Sequence, residues 1–245
     1  MITQDFIHAI APIAVANMFK FSILASLTIS QAVHESDSGS HAPGNNLFGT
    51  KGPGQQLQTR QFIEGHAATV IADFRSYPSW NESILDHGSL FHTARLNDGR
   101  LRYQQVIDAH NYREACKAVH ACGDATDSQY SDKLIKIIEA FHLDKYDLAL
   151  ETGIALTSIN RWIIPAWLNT NDSNQKIYLH ELADELKHAS MLLQPYRCLA
   201  VQSADKVIDT WMYPSWKATT DQKDKDYIHR IAVELRKASG QPVKN

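Results

Sequence analysis

Apolar side chains recur every three or four residues along most of this chain, and only one stretch alternates with the period of a strand. Phe6, Ile7, Ile10, Ala14 and Val15 fall on one helical face, which predicts a first helix from Thr3, a residue able to cap it, through Lys20. Pro12 removes a backbone donor inside that helix and predicts a kink or a restart. A second helix is predicted from Ile23 to about Glu35, with Ser22 as its cap. It is apolar nearly all round, which places it at the centre of a core. The Gly- and Pro-rich segment 36–54 reads as a long, shaped loop. Two extended stretches follow, at about Gln56–Ile63 and Ala67–Tyr77. Glu64-Gly65 lies between them as a tight turn, and Val70, Ala72 and Phe74 alternate with more polar residues, so a β-hairpin is predicted. Helical patterns return at Trp80–Phe91, Tyr103–Ala121 and Gln129–Phe141, the last capped by Asp127 or Ser128.

Beyond Lys145 the pattern changes to four helices, at 147–168, 176–193, 196–211 and 221–238, separated by 169–174, Pro195 and Pro214. A boundary is expected near residues 143–150, dividing a first domain (1–145) from a helical accessory domain (146–245). Tyr-Pro-Ser-Trp occurs at Tyr77–Trp80 and again at Tyr213–Trp216. The flanks differ, so this reads as coincidence rather than an internal repeat.

The chain has 245 residues, 44% apolar and 21% charged, enough for one large domain or two modest ones, each with a core of its own. Net charge is −3 and neither half carries a basic excess, which argues against nucleic acid as a partner. Cys116, Cys122 and Cys198 are too few and too irregularly spaced for a disulfide framework or a zinc ribbon, and read as reduced, partly buried thiols. Twelve histidines form no His-Glu-x-x-His pattern, so no metal and no cofactor are implied. The first Lys is Lys20, too late for the basic start of a secretory signal, and no clean run of about 18 apolar residues exists to span a membrane. The expectation is a protein made in the cytoplasm without a signal peptide.

The second helix, greasy enough to be buried, stops on a carboxylic acid. Low-dielectric surroundings disfavour the charged form of a carboxyl, and the partial negative charge at a helix C-terminus acts the same way. A carboxyl that keeps its proton near neutral pH can protonate a departing oxygen, as glycosidic cleavage requires. Glu35 is the candidate general acid. The plainer reading of a Glu at a helix end is a solvated charge.

Six short motifs then stand in order. Phe6-Ile7…Ile10-Ala11-Pro12 leads to Ala25-Ser26-Leu27-Thr28-Ile29-Ser30-Gln31-Ala32 and Glu35-Ser36. Asn45-Asn46-Leu47-Phe48-Gly49-Thr50-Lys51-Gly52 comes next. Phe74-Arg75-Ser76-Tyr77-Pro78-Ser79-Trp80 with Glu82-Ser83 and Asp86-His87 precedes Ala125-Thr126-Asp127…Tyr130…Lys133-Leu134. In these residues the chain resembles the family-73 glycoside hydrolases, bacterial and phage N-acetylglucosaminidases that cut peptidoglycan, over roughly residues 5–142. The resemblance implies a lysozyme-like α+β fold, mainly α with a small β-hairpin lobe across a sugar-binding cleft, followed here by an all-helical C-terminal domain. It also implies that Glu35 is the general acid and that Tyr130 lies near it. Asn46 and Phe48 would shape the cleft wall, with Tyr77 as a further substrate-binding position.

Two departures bear on mechanism. The family's Gly-Trp-Gly after Glu-Ser reads Asp37-Ser38-Gly39 here. Its hairpin carries Thr-x-Glu, and the second carboxylate's position is occupied by Gln61, in Thr59-Arg60-Gln61. Gln can orient a water but cannot take its proton. Glu64, three residues on, is one substitute; the substrate's own N-acetyl group is another.

Plainer roles stand beside these. Tyr130 on a helix packs by default with its hydroxyl satisfied. Asp86 and His87 diverge at adjacent helical positions, which favours a structural hydrogen-bond role. Four of the five Trp lie in 146–245, at 162, 167, 211 and 216. Helix packing is their default, stacking on sugar rings of the wall is the functional alternative, and self-association of the helices into a homo-oligomer is a third. The reading as a whole is a phage or prophage endolysin. It would cleave the β-1,4 bond between N-acetylglucosamine and N-acetylmuramic acid in peptidoglycan glycan strands after release from the cell. Its rivals are a lytic transglycosylase using a single acid, and a non-catalytic wall-binding or phage structural protein.

Overall fold

A computed structural model of the chain describes residues 3–63, 66–125, 127–193 and 196–243. Helix α1 (Thr3–Phe21) buries the face that its spacing predicts, Phe6, Ile7, Ile10, Ala14 and Val15, and runs through Pro12 as one element rather than restarting there. Helix α2 (Ala25–Ser36) is buried at every residue from Ala25 to Val33. Ser22, the expected cap, is instead in the left-handed region at φ 54°, and α2 begins three residues later with no side-chain cap from Leu24. The cap comes from far along the chain. Asp147 accepts from the Ser26 backbone N–H at 2.8 Å and from the Ser26 hydroxyl at 2.6 Å, satisfying donors that a helix start leaves open. Burial pushes the Asp147 carboxyl up to about 7, against the lowering effect of those two bonds.

After α2 the chain reverses through Asp37 (φ 48°), Ser38 (φ 55°) and Gly39 (φ 80°). At Gly39 a Cβ would lie 2.9 Å from the rings of both Phe6 and Trp80, so position 39 admits only glycine. The reversal launches the long loop that leads to strands β1 (Gly54–Ile63) and β2 (His66–Arg75). They pair antiparallel from Gly54 opposite Arg75 to Ile63 opposite His66, the expected hairpin. Helix α3 (Trp80–Thr93) starts at Ser79, whose hydroxyl accepts from the Asn81 N–H at 3.1 Å. The helix expected over Tyr103–Ala121 is two: α4 (Gln104–Ile107) and α5 (Tyr112–Ala121). Asn111 restarts it by accepting from the Glu114 N–H at 3.0 Å, a local bond that competes with continuing the helix. Helix α6 (Tyr130–Phe141) closes the set, and α2 packs against α1, α5 and α6.

The chain divides into two compact units after Asp147. The described elements of the second unit are helices. Helix α7 (Thr152–Ser158), a π turn (Ile159–Ile163) and α8 (Ile164–Asn169) run on into one another and precede α9 (Ser173–Ala189). The same series follows in α10 (Val201–Val207), a π turn (Ile208–Met212), α11 (Tyr213–Ala218) and α12 (Gln222–Ala238). Each element starts 49 positions after its counterpart: 159 and 208, 164 and 213, 173 and 222. The unit is an internal duplication. Tyr213-Pro214-Ser215-Trp216 is therefore a repeated motif after all, but its partner is Ile164-Pro165-Ala166-Trp167, not Tyr77–Trp80.

Pro214 was expected to end a helix and does not. In each repeat the turn before Pro widens, with Ile164 N–H bonded to the Ile159 carbonyl and Tyr213 N–H to the Ile208 carbonyl. A five-residue turn makes room for the proline ring and absorbs its missing donor. Both repeats share one core, in which Leu179, Leu182 and Leu186 correspond to Ile228, Ile231 and Leu235. Trp162 Nε1–H donates to Ser215 Oγ at 3.1 Å and Arg161 pairs with Asp224 at 2.9 Å, tying one repeat to the other. Cys116 is buried, Cys122 half-buried and Cys198 exposed, so the last is not the partly buried thiol expected.

Because the folded Asp147 carboxyl titrates near 7, above the roughly 3.9 of an unfolded Asp, folding binds a proton there. Its stabilising contribution is fully present below about pH 4 and is lost as pH rises through 7. Melting curves of wild type and Asp147→Asn should therefore show the wild-type advantage shrinking from about pH 5 to about pH 8; a flat or growing advantage contradicts this. Asp147→Ala, which also strips Ser26 of its acceptor, should cost about 1–2 kcal/mol in the same unit.

Candidate active site

A cleft of about 360 Å³ in the first unit is lined by Gln31 and Glu35 of α2, Phe48 to Lys51 of the long loop, Arg75 at the end of β2, His87 and Phe91 of α3, Asp124 and Tyr130. A larger hollow of about 580 Å³ lies over Leu96–Gln105 and Cys122. It has no carboxylate in its lining, so the chemistry singles out the smaller one.

Helix α2 delivers Glu35 to the cleft from its last turn, with Gln31 one turn earlier on the same face. The Tyr130 hydroxyl donates to Glu35 Oε1 at 2.7 Å. Gln31 Nε2 donates to the Tyr130 oxygen at 3.1 Å and to Asp124 Oδ2 at 3.2 Å. The Tyr103 hydroxyl donates to Asp124 Oδ1 at 2.5 Å. Five side chains thus form one hydrogen-bonded chain from Tyr103 to the acid. Burial, reinforced by the neighbouring charge of Glu35, pushes the Tyr130 phenol far above its usual range. Burial and Asp124 do the same for Tyr103, so both phenols stay protonated and remain donors.

Behind this chain stands a column of rings. Phe48 stacks on His87 at 3.9 Å and 17°, His87 meets Phe91 at 4.6 Å, and Phe91 stacks on Tyr103 at 4.2 Å and 6°. Burial pulls the His87 imidazole down to about 3, so it is neutral and serves as an aromatic spacer rather than an acid or base. Asp86, its neighbour, accepts both oxygens' bonds from Arg75 (2.7 and 2.6 Å) and one from the Tyr77 hydroxyl (2.7 Å), locking the base of the hairpin to α3. The structural reading of Asp86-His87 fits this arrangement.

The residues anticipated from sequence part company here. Glu35, Tyr130 and Phe48 come together in the cleft. Glu35 is exposed rather than half-buried, so burial of the free side chain is not what equips it as an acid. Asn46 sits behind the wall: its amide nitrogen donates to the Thr50 and Arg75 carbonyls and its oxygen accepts from the Thr50 N–H, shaping the loop from within. Tyr77 does not line the cleft; it is spent on Asp86, and its phenol is raised to about 12, chiefly by burial. Glu64 and the side chain of Gln61 lie outside the described residues; the Gln61 backbone pairs with Ala68.

Sequence reasoning missed Asp124, Gln31 and Tyr103. Asp124 directly precedes Ala125-Thr126-Asp127, and a carboxylate beside a cleft motif was the signal available. Gln31 is the one amide among the small and apolar buried residues of α2, one turn before Glu35. Nothing local marks Tyr103. No group of three or more His, Cys, Asp or Glu is placed to hold a metal among the described residues, and no helix among them is long and apolar enough to cross a membrane.

Residues 11–143 match the model of the glucosaminidase family, described as mannosyl-glycoprotein endo-beta-N-acetylglucosaminidase. The chain is 38% identical over 164 residues to the exo-glucosaminidase LytG of Bacillus subtilis (strain 168), a match covering 64% of this chain and 57% of that protein. It is 33% identical over 165 residues to a probable N-acetylmuramidase of Lactococcus lactis subsp. cremoris (strain MG1363), covering 62% of this chain and 36% of the other. Among solved structures, the catalytic domain of the autolysin Auto from Listeria monocytogenes superposes with a TM-score of 0.54 at 29% identity, over 59% of this chain and 86% of that domain. The chain spans little more than half of the first relative's length and about a third of the second's. With the family match spanning the α-helical body, the hairpin and the Glu35–Tyr130 cleft, the chain belongs to the glucosaminidase family, the family-73 glycoside hydrolases that its motifs resemble.

Proposed function

We propose that this chain is an endo-β-N-acetylglucosaminidase. It hydrolyses the β-1,4 bond between N-acetylglucosamine and N-acetylmuramic acid in peptidoglycan, with Glu35 as general acid. The observation that carries the reading is a carboxyl at the end of a buried helix, held at 2.7 Å by the Tyr130 hydroxyl in the lining of a cleft of about 360 Å³. The names of the relatives support an amino-sugar strand as the substrate class.

The hydrogen bond from Tyr130 occupies Oε1 and fixes the plane of the carboxyl. That leaves Oε2, with no hydrogen-bond partner among the described residues, to hand its proton to the glycosidic oxygen. Gln31 holds Tyr130 in that orientation and Asp124 holds Gln31, so the acid and its supports form one unit built largely on α2. A bound glycan excludes from the exposed Glu35 the water that the free protein admits. The opposite face of the sugar falls to Glu64 or to the acetamido oxygen of the substrate.

Glu35→Gln keeps the shape and removes the transferable proton; kcat/KM on purified walls should fall about 10²- to 10⁴-fold. Clearing at an unchanged rate would refute the assignment. Tyr130→Phe deletes the hydrogen bond that orients the neutral acid, worth about 0.5–1.5 kcal/mol, so kcat should drop about two- to tenfold with KM little changed. A full kcat in Tyr130→Phe would remove its orienting role. Retained activity in Glu64→Gln would assign the opposite face to the acetamido oxygen, and its loss would assign it to Glu64.

A further inference from the structure

The two repeats of the second unit keep their buried positions alike because they share a core. Exposed positions have no such reason to match, yet Trp167 and Trp216 do, at 41% and 38% exposure, each two residues after the proline. The same cation accompanies each ring: Lys176 Nζ lies 4.6 Å from the centroid of Trp167, and Lys225 Nζ 5.0 Å from that of Trp216. Neither ammonium belongs to an ion pair among the described residues. Neighbouring exposed positions diverge in kind, Leu168 against Lys217 and Ile177 against Asp226. The Trp–Lys pair is thus common to both repeats, as are the exposed His180 and His229, while Leu168 and Ile177 have charged counterparts. Beside Trp216 a hollow of about 200 Å³, with Tyr213 and Arg236 in its wall, has no acidic residue in its lining. The Tyr213 and Trp216 rings are nearly parallel, 9° apart with centroids at 6.3 Å.

An exposed indole with an ammonium over its ring presents apolar and cationic groups together, and that pairing suits one chemistry in particular. The apolar face of a pyranose ring packs on the indole, and the cation donates to the sugar's acetyl oxygen or attracts a carboxylate carried on the strand. Two equivalent sites in one chain also match a polymer that presents the same sugar many times, where each weak contact raises the effective concentration for the other. We propose that the second unit is a tandem glycan-binding module. Each 49-residue repeat offers one Trp–Lys face to the amino-sugar strand of peptidoglycan. The identity of the strand rests on the reading of the first unit as a peptidoglycan hydrolase; the Trp–Lys faces do not.

The test uses the full chain carrying Glu35→Gln, so that the polymer survives the measurement. Co-sedimentation with insoluble peptidoglycan stripped of its secondary wall polymers is compared with the same chain carrying Trp167→Ala, Trp216→Ala or both. Each single change should weaken binding about tenfold, and the double change about 10²-fold or more. Lys176→Glu with Lys225→Glu, which spares the rings and their packing, should weaken binding to a similar degree, guarding against a folding defect in the Trp variants. In the otherwise wild-type chain, the double Trp variant should lose rate on insoluble walls and keep it on short soluble fragments. Undiminished co-sedimentation of both double variants would overturn the proposal, as would a parent dimer that the Trp changes convert to monomer. So would binding only to walls that retain their secondary polymers. Catalysis is read separately: clearing by the wild type without Trp-dependent binding leaves the first unit's assignment standing, and Trp-dependent binding without clearing leaves this one.

Discussion

Burial of α2 on all sides is the constraint from which the arrangement of the candidate site follows. Residues Ala25 to Val33 are enclosed by α1, α5 and α6, so a turn of this helix about its axis would pull Gln31 from Asp124 and Tyr130 or drive Glu35 into apolar packing. The cost of either displacement runs to several kcal/mol for a side chain of that size, far more than any one surface contact returns. Packing therefore determines where the carboxyl sits, and the hydrogen bonds refine how it is held. Tyr130 at the first residue of α6 reaches Glu35 because α6 is among the helices that enclose α2. Asp147 completes the enclosure from beyond α6 by capping the buried start of the helix, which ties residues 143–147 to the first compact unit.

The cleft's other wall depends on the same economy of parts. The ring column from Phe48 to Tyr103 spans from the loop to the carboxylate Asp124, with a neutral His87 in its middle. Asn46 and Asp86 fasten the loop and the hairpin base from behind. Exposure of Glu35 and of Asp124 is compatible with this, since rigidity comes from the supports and not from burial of the carboxylates themselves.

The first unit was legible where periodicity and motif agreed. The face of α1, the existence of the hairpin and the meeting of Glu35 with Tyr130 all follow from residues close in sequence or from motifs in fixed order. What stayed hidden depended on distance along the chain. Asp147 caps Ser26 from 121 positions away, which no local rule predicts, and Tyr103 reaches Asp124 only once α4 has folded beside α5. Asn46 and Tyr77 belong to the right motifs, but their hydrogen-bonding capacity is used up inside the wall. In the second unit a sound rule misled: proline breaks helices, yet the π turns before Pro165 and Pro214 let the chain run on. Reading Pro214 as a break obscured two matching helix–turn–helix series 49 residues apart.

The central claim is that the Glu35 cleft protonates the oxygen leaving N-acetylglucosamine and that water completes the reaction. Mass spectrometry of the sugars released from purified peptidoglycan in heavy-oxygen water tests it most directly. The account predicts new reducing ends on N-acetylglucosamine, each carrying one heavy oxygen. Reducing ends on N-acetylmuramic acid, or unlabelled anhydro-muramic ends of the kind a lytic transglycosylase leaves, would contradict it.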